Sequence, residues 1–217
     1  MKVNGSHVLH GSRQEVWDAL QDPAVLVQTI PGCQAMTETG DDTYTATVHA
    51  GIASIKGTYD GQVSLADQDP PNSYTLRAKG SGGPGTIDAT ATVSLTEEGD
   101  DTRVEYDAHA VIGGAIAGVG QRVVSGVAKR NARSFFEAVD KHLAGELEGV
   151  GAGGDEEASA GAAVEETTSD GATVFRKPEP VGGGAPGAPD AVPLILAALA
   201  GAAIALLGVL VGQRRRG

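Results

Sequence analysis

Hydrophobic and polar positions change period along this chain, and the changes mark its elements. Val3 to His10 reads as a first strand. Ser12 and Glu15 stand at capping-box spacing, which predicts a helix running through Trp17 to Leu20. Asp22-Pro23 places an N-cap before a proline at the first helical position, and a second short helix follows to about Gln28. Pro31-Gly32 ends it. From Cys33 onward the period is two. Tyr44, Ala46, Val48, Ala50 and Ile52 alternate with polar residues, and four further runs over 55–65, 74–80, 87–95 and 103–112 do the same. This is the pattern of antiparallel strands with one wet face. Gly40-Asp41-Asp42, Asp69-Pro70-Pro71-Asn72, Gly82-Gly83-Pro84-Gly85 and Glu98-Gly99-Asp100-Asp101 supply the turns. After Gly113-Gly114 the period returns to 3.6. Ile116, Val119, Val123, Val127, Ala138 and His142 then share one stripe of a helix reaching about Leu147. The order predicts an α+β domain in which a long last helix covers the apolar face of a curved antiparallel sheet.

Beyond that helix the character changes twice. Residues 149–190 are rich in Gly, Ala, Glu and Pro, with few large apolar side chains, and read as a flexible acidic linker. As a coil, such a length spans on the order of 36 Å. From Ala191 to Gln213 there is no charge, and Arg214, Arg215 and Arg216 follow. The apolar part to Gly212 would be about 33 Å long as a helix, enough to cross a bilayer. The expected organisation is therefore a folded body over 1–148, a linker over 149–190, a transmembrane helix over 191–213 and a basic tail over 214–217. Met1 to Ser6 lacks the apolar run of a signal peptide, which predicts a cytoplasmic body on a single-pass anchor in the cell membrane. The three arginines alone would favour the cytoplasmic side for the tail.

The net charge of −12 sharpens this picture. The body carries 11 Lys/Arg against 20 Asp/Glu, which argues against nucleic acid as a partner. Against that acidic background Arg122, Lys129 and Arg133 align on one face of the last helix, with Arg130 to one side. No acid interrupts Gln121 to Ser134. The row reads as either a solvated helix face or a docking surface for an acidic partner or anionic lipid.

Candidate chemistry is sparse. Cys33 is the single cysteine, so a disulfide within the chain is excluded. It reads as a small buried residue or as a reactive thiol. The five histidines show no metal-ligand spacing, and no serine has the context of an activated nucleophile. No metal and no catalytic residue is expected. The inward strand positions are more informative. Gly57, Gly61, Ala78, Gly80, Ala89, Ala91, Ala108 and Ala110 are all small. Such a face allows either a close helix approach or an apolar cavity. The residues expected to line the cavity are Trp17, Ile30, Ile52, Tyr59, Tyr74, Ile116, Val119, Val123 and Val127.

Trp17-x-x-Leu20-x-Asp22-Pro23-x-x-Leu26, Ile30-Pro31-Gly32-Cys33, Gly113-Gly114-x-Ile116-Ala117-x-x-Gly120-x-Arg122 and Phe135-Phe136 resemble the CoxG family of carbon monoxide dehydrogenase proteins. That family belongs to the START-like, or SRPBCC, helix-grip superfamily. The resemblance covers about residues 1–145. It implies a START/Bet v 1-like fold of about seven strands, with two short helices and a long C-terminal helix over a cavity. It also implies an accessory of a molybdenum-containing CO dehydrogenase or related hydroxylase. Such a protein would recruit the enzyme to the membrane and take part in electron delivery to quinone. The resulting expectation is a non-enzymatic, membrane-anchored protein with no covalent cofactor. Its apolar ligand would be menaquinone or another isoprenoid quinone. The rival readings are a pure tether or assembly factor, and a START-like enzyme acting on an apolar substrate.

Overall fold

The computed structural model describes residues 1–146, 164–167 and 173–177. Strand β1 (Lys2–Leu9) leads into helix α1 (Arg13–Ala19). The capping box forms as its sequence predicts: the Ser12 backbone N–H donates to Glu15 Oε2 at 2.8 Å, and Ser12 Oγ accepts from the Glu15 N–H at 3.3 Å. Helix α2 (Pro23–Thr29) starts on Asp22, whose Oδ1 accepts from the Ala24 N–H at 2.8 Å. Both caps satisfy backbone donors that a helix start leaves unpaired. Strands β2 (Cys33–Gly40), β3 (Thr43–Ile52), β4 (Ile55–Asp69), β5 (Ser73–Gly82), β6 (Gly85–Glu98) and β7 (Asp101–Gly114) follow. A 3₁₀ turn (Ala115–Val119) and helix α3 (Gln121–Leu143) complete the body.

The sheet corrects the expected fold. It is open rather than a curved sheet of about seven strands, and among the described residues it holds nine strands in the order β1-β7-β6-β5-β4-β3-β2-β9-β8. All pairs are antiparallel. The two additional strands, β8 (Val164–Thr167) and β9 (Thr173–Arg176), come from the segment expected to be linker throughout. β9 pairs with β2, placing Met36 opposite Phe175. Phe175 is buried and joins the core. One phenylalanine on an otherwise exposed strand edge thus gives this acidic segment enough apolar surface to dock. The C-terminal transmembrane helix expected over 191–213 lies outside the described residues. Among the described residues, no helix is long and apolar enough to cross a membrane.

The long helix also departs from its expected phase. It does not run unbroken from Gly114. Gly120, at φ +96°, separates the 3₁₀ turn from α3 and resets the helical phase. The buried stripe of α3 is therefore Val124, Val127, Ala128, Asn131, Ala132, Phe135, Phe136 and Val139. Val123, expected inside, is 47% exposed. The helix packs on β1, α1, α2 and the 3₁₀ turn.

Candidate functional site

The inward face of β3 to β7 carries the small residues that the alternation predicts, set among larger buried ones such as Val48, Val63, Leu76 and Tyr106. Ala46, Ala50, Ala78, Ala89, Ala91, Ala108 and Ala110 are all buried there. Gly61 and Gly80 are buried opposite each other on β4 and β5. The residues expected to line a cavity divide into two groups. Trp17, Ile30, Ile52, Tyr59, Tyr74, Ile116 and Val127 are buried in one continuous apolar cluster, and Val119 packs against its edge. Val123 is not part of it. Trp17 meets Tyr74 edge-to-face, with ring centroids 5.5 Å apart.

Tyr59 is flanked by glycines along its strand. Its strand neighbours on the same face are Gly57 and Gly61, and across the sheet it lies between Val48 and Gly82. The ring leans over Gly82, where a Cβ would sit 3.1 Å from Tyr59 Cδ1. The side chain is fully buried, yet its hydroxyl has no hydrogen-bond partner among the described residues. Burial pushes the phenols of Tyr59, Tyr74 and Tyr106 above their ordinary pKa, so all three are neutral near pH 7. A second buried polar group does not stand out in the sequence. Asn131, 2% exposed on α3, has an Nδ2 with no partner among the described residues. The signal that could have found it is an amide on the phase shared by Val124, Val127, Ala128 and Phe135.

One end of the floor is tightly closed by the Pro84 ring and by backbone. Pro84, in the β5–β6 turn, lies against Gly57, where a Cβ would sit 2.6 Å from its ring. Gly85 faces the carbonyl of Gly113, and an added Cβ would approach that oxygen to 2.2 Å. Ile116, buried beside Gly85, caps this corner. At the opposite end of α3, an open groove of about 790 Å³ runs past Glu15, Asp18, Asp22 and His142. There the carboxylate of Asp140 binds His10, accepting from its backbone N–H at 2.8 Å and lying 3.0 Å from Nδ1. That contact raises the His10 pKa.

The cations Arg122, Lys129, Arg130 and Arg133 are all exposed, on the side of α3 away from the buried stripe. None of them forms an ion pair with a described residue. Arg133 is close enough to His7 to act on its charge. Burial, then the Arg133 guanidinium, lowers the His7 pKa, and Glu137 opposes them. His7 stacks on Phe136 with centroids 4.6 Å apart. His49 and His109 are exposed on the outer sheet face. Cys33 is buried, and burial pushes its thiol pKa up to about 12, so it is a packing residue rather than a nucleophile. Among the described residues, no three His, Cys, Asp or Glu side chains gather as a metal site.

Comparison with known proteins is decisive over the body of the chain. Residues 5–144 match the family model for CoxG, a subunit of carbon monoxide dehydrogenase. The chain belongs to the CoxG family. The match runs from within β1 to the end of α3 and contains every candidate cavity residue and all four candidate docking cations. The crystal structure of a conserved protein from Geobacillus kaustophilus is similar at 38% identity and a TM-score of 0.65, covering 67% of this chain and 96% of that one. A START superfamily protein from Mycobacterium smegmatis shares the fold at 12% identity and a TM-score of 0.53, over 66% of this chain and 97% of that one. So does an aromatase/cyclase from Streptomyces sp. R1128, at 14% identity and a TM-score of 0.50, over 66% and 93%. At such identities these last two speak to fold alone. No curated protein matches the chain. The CoxG assignment bears out the family that the Trp/Asp-Pro, Ile-Pro-Gly-Cys and Gly-Gly-x-Ile elements suggested.

Proposed function

We propose that this CoxG-family protein is a non-enzymatic accessory of a molybdenum-containing CO dehydrogenase or related hydroxylase. It holds an apolar ligand, menaquinone or another isoprenoid quinone, in the interior between sheet and helices, and so links the enzyme to the respiratory chain at the cell membrane. The observation that carries the reading is the floor of alanine and glycine beneath Trp17, Tyr59, Tyr74 and Ile116, in a chain of this family. Small residues on a sheet face leave space that large ones would fill. Quinones hardly leave a bilayer, so a cytoplasmic oxidoreductase needs a protein with an apolar interior to reach them. The uncharged stretch Ala191 to Gln213 attaches the body to the membrane, with the body on the cytoplasmic side. The row Arg122, Lys129, Arg130 and Arg133 docks the acidic partner.

The test is to purify the full chain in mild detergent and identify co-extracted lipids by mass spectrometry. Stoichiometric quinone supports the carrier reading, and an interior that is empty and takes up no added quinone rejects it. The tether reading has its own support in the four exposed cations, which have no ion-pair partners among the described residues. Replacing Arg122, Lys129 and Arg133 by Glu separates the two activities, since it should release the hydroxylase while quinone content stays unchanged.

A further inference from the structure

We propose that the Tyr59 hydroxyl is the polar anchor of the interior, donating a hydrogen bond to an acceptor oxygen, such as a carbonyl, on an otherwise apolar ligand. The inference rests on the ligand-binding reading above and adds to it the chemistry by which the ligand is selected. Of the other three tyrosines, two have a ring partner, and Tyr44 on β3 has none among the described residues. Tyr74 packs against Trp17, and Tyr106 stacks with His7 and Phe136. Tyr59 makes no such contact among the described residues. It is fully buried, and its Oη lacks a partner among the described residues. A buried hydroxyl without a hydrogen bond destabilises the fold it sits in. Phenylalanine would fill the same place without that cost, and nothing in the local packing asks for the oxygen.

The surroundings explain why the group is presented rather than satisfied. Gly57, Gly61 and Gly82 flank it with no side chains, so no neighbouring side chain on the floor reaches its oxygen. The backbone groups of β3, β4 and β5 are engaged in the ladder, with Tyr59 paired between Val48 and Gly82. Gly82 leaves the room over which the ring leans. The result is one neutral donor in an apolar surface. Such a site discriminates strongly between ligands with and without an acceptor, because a hydrocarbon leaves the hydroxyl unpaired.

The experiment measures two probes by equilibrium dialysis against the full chain in mild detergent: 2-methyl-1,4-naphthoquinone, and 2-methylnaphthalene, which lacks the carbonyls. Wild type should prefer the quinone by about tenfold, the worth of one buried hydrogen bond. Tyr59→Phe should abolish the preference while leaving the hydrocarbon's affinity unchanged. The ligand-free variant should melt at the same temperature as wild type or higher, since it loses an unpaired buried hydroxyl. A Tyr59→Phe protein that keeps the preference overturns the anchor. So does one whose ligand-free melting temperature falls, because the hydroxyl would then be satisfied within the fold. If wild type takes up neither probe, the ligand-binding reading itself is wrong, a result distinct from a failure of Tyr59 alone.

Discussion

At the scale of single residues, two histidines on β1 and its end respond to pH in opposite directions, and the signs follow from their neighbours. The Asp140 carboxylate raises the His10 pKa, so its contribution to stability is fully present below the unfolded value near 6.5 and is lost as pH rises through the folded value. His7 is the reverse. Burial and Arg133 lower its pKa, so the unfolded chain binds the proton more readily and stability falls as pH drops below about 6.5. NMR titration should place His10 above 6.5 and His7 below it. Arg133→Glu should then raise the His7 value while His10 keeps its own. A His7 pKa that ignores this charge reversal would mean that Arg133 points away from the ring and that the cation row is arranged differently.

Elements show how much of the fold sequence could reveal. Ser12 with Glu15 and Asp22 with Pro23 are local devices, and both helix starts appear where they point. Alternation over five runs predicts β3 to β7 because each strand has one dry face. What failed depended on distance. Val123 follows the 3.6 spacing from Ile116, but the positive φ of Gly120 breaks that phase, and only the fold reveals the break. β9 escapes sequence reasoning because a four-residue strand carries almost no periodic signal, and its partner β2 lies far back in the chain. Of the sheet's inner face, the small residues and the burial of most of the expected neighbours were legible. Neither the unpaired Tyr59 oxygen nor the buried Asn131 amide was, since pairing is a property of neighbours. The edge strand makes its own prediction. Phe175→Ala should lower unfolding stability by about 3 kcal/mol in urea titration, as a buried aromatic would. An unchanged midpoint would mean that β9 is not seated on β2.

On the scale of the whole molecule, charge and apolarity are segregated. The body is acidic outside and apolar inside, four of its eleven Lys/Arg line the outer side of α3, and an uncharged stretch runs from Ala191 to Gln213. A carrier needs this separation. The ligand must be hidden from water, the partner must be met on the surface, and neither contact should compete with the other. The direct measurement is an NMR titration of the isotope-labelled full chain with a short-chain isoprenoid naphthoquinone, following backbone amides on both faces of the sheet. The account predicts saturable shifts at inward Gly61, Gly80, Ala89 and Ala110, with outward Lys79 and Thr90 moving little. Shifts confined to the outer face, or to the groove beside His142, would show that the interior takes no ligand and would contradict it.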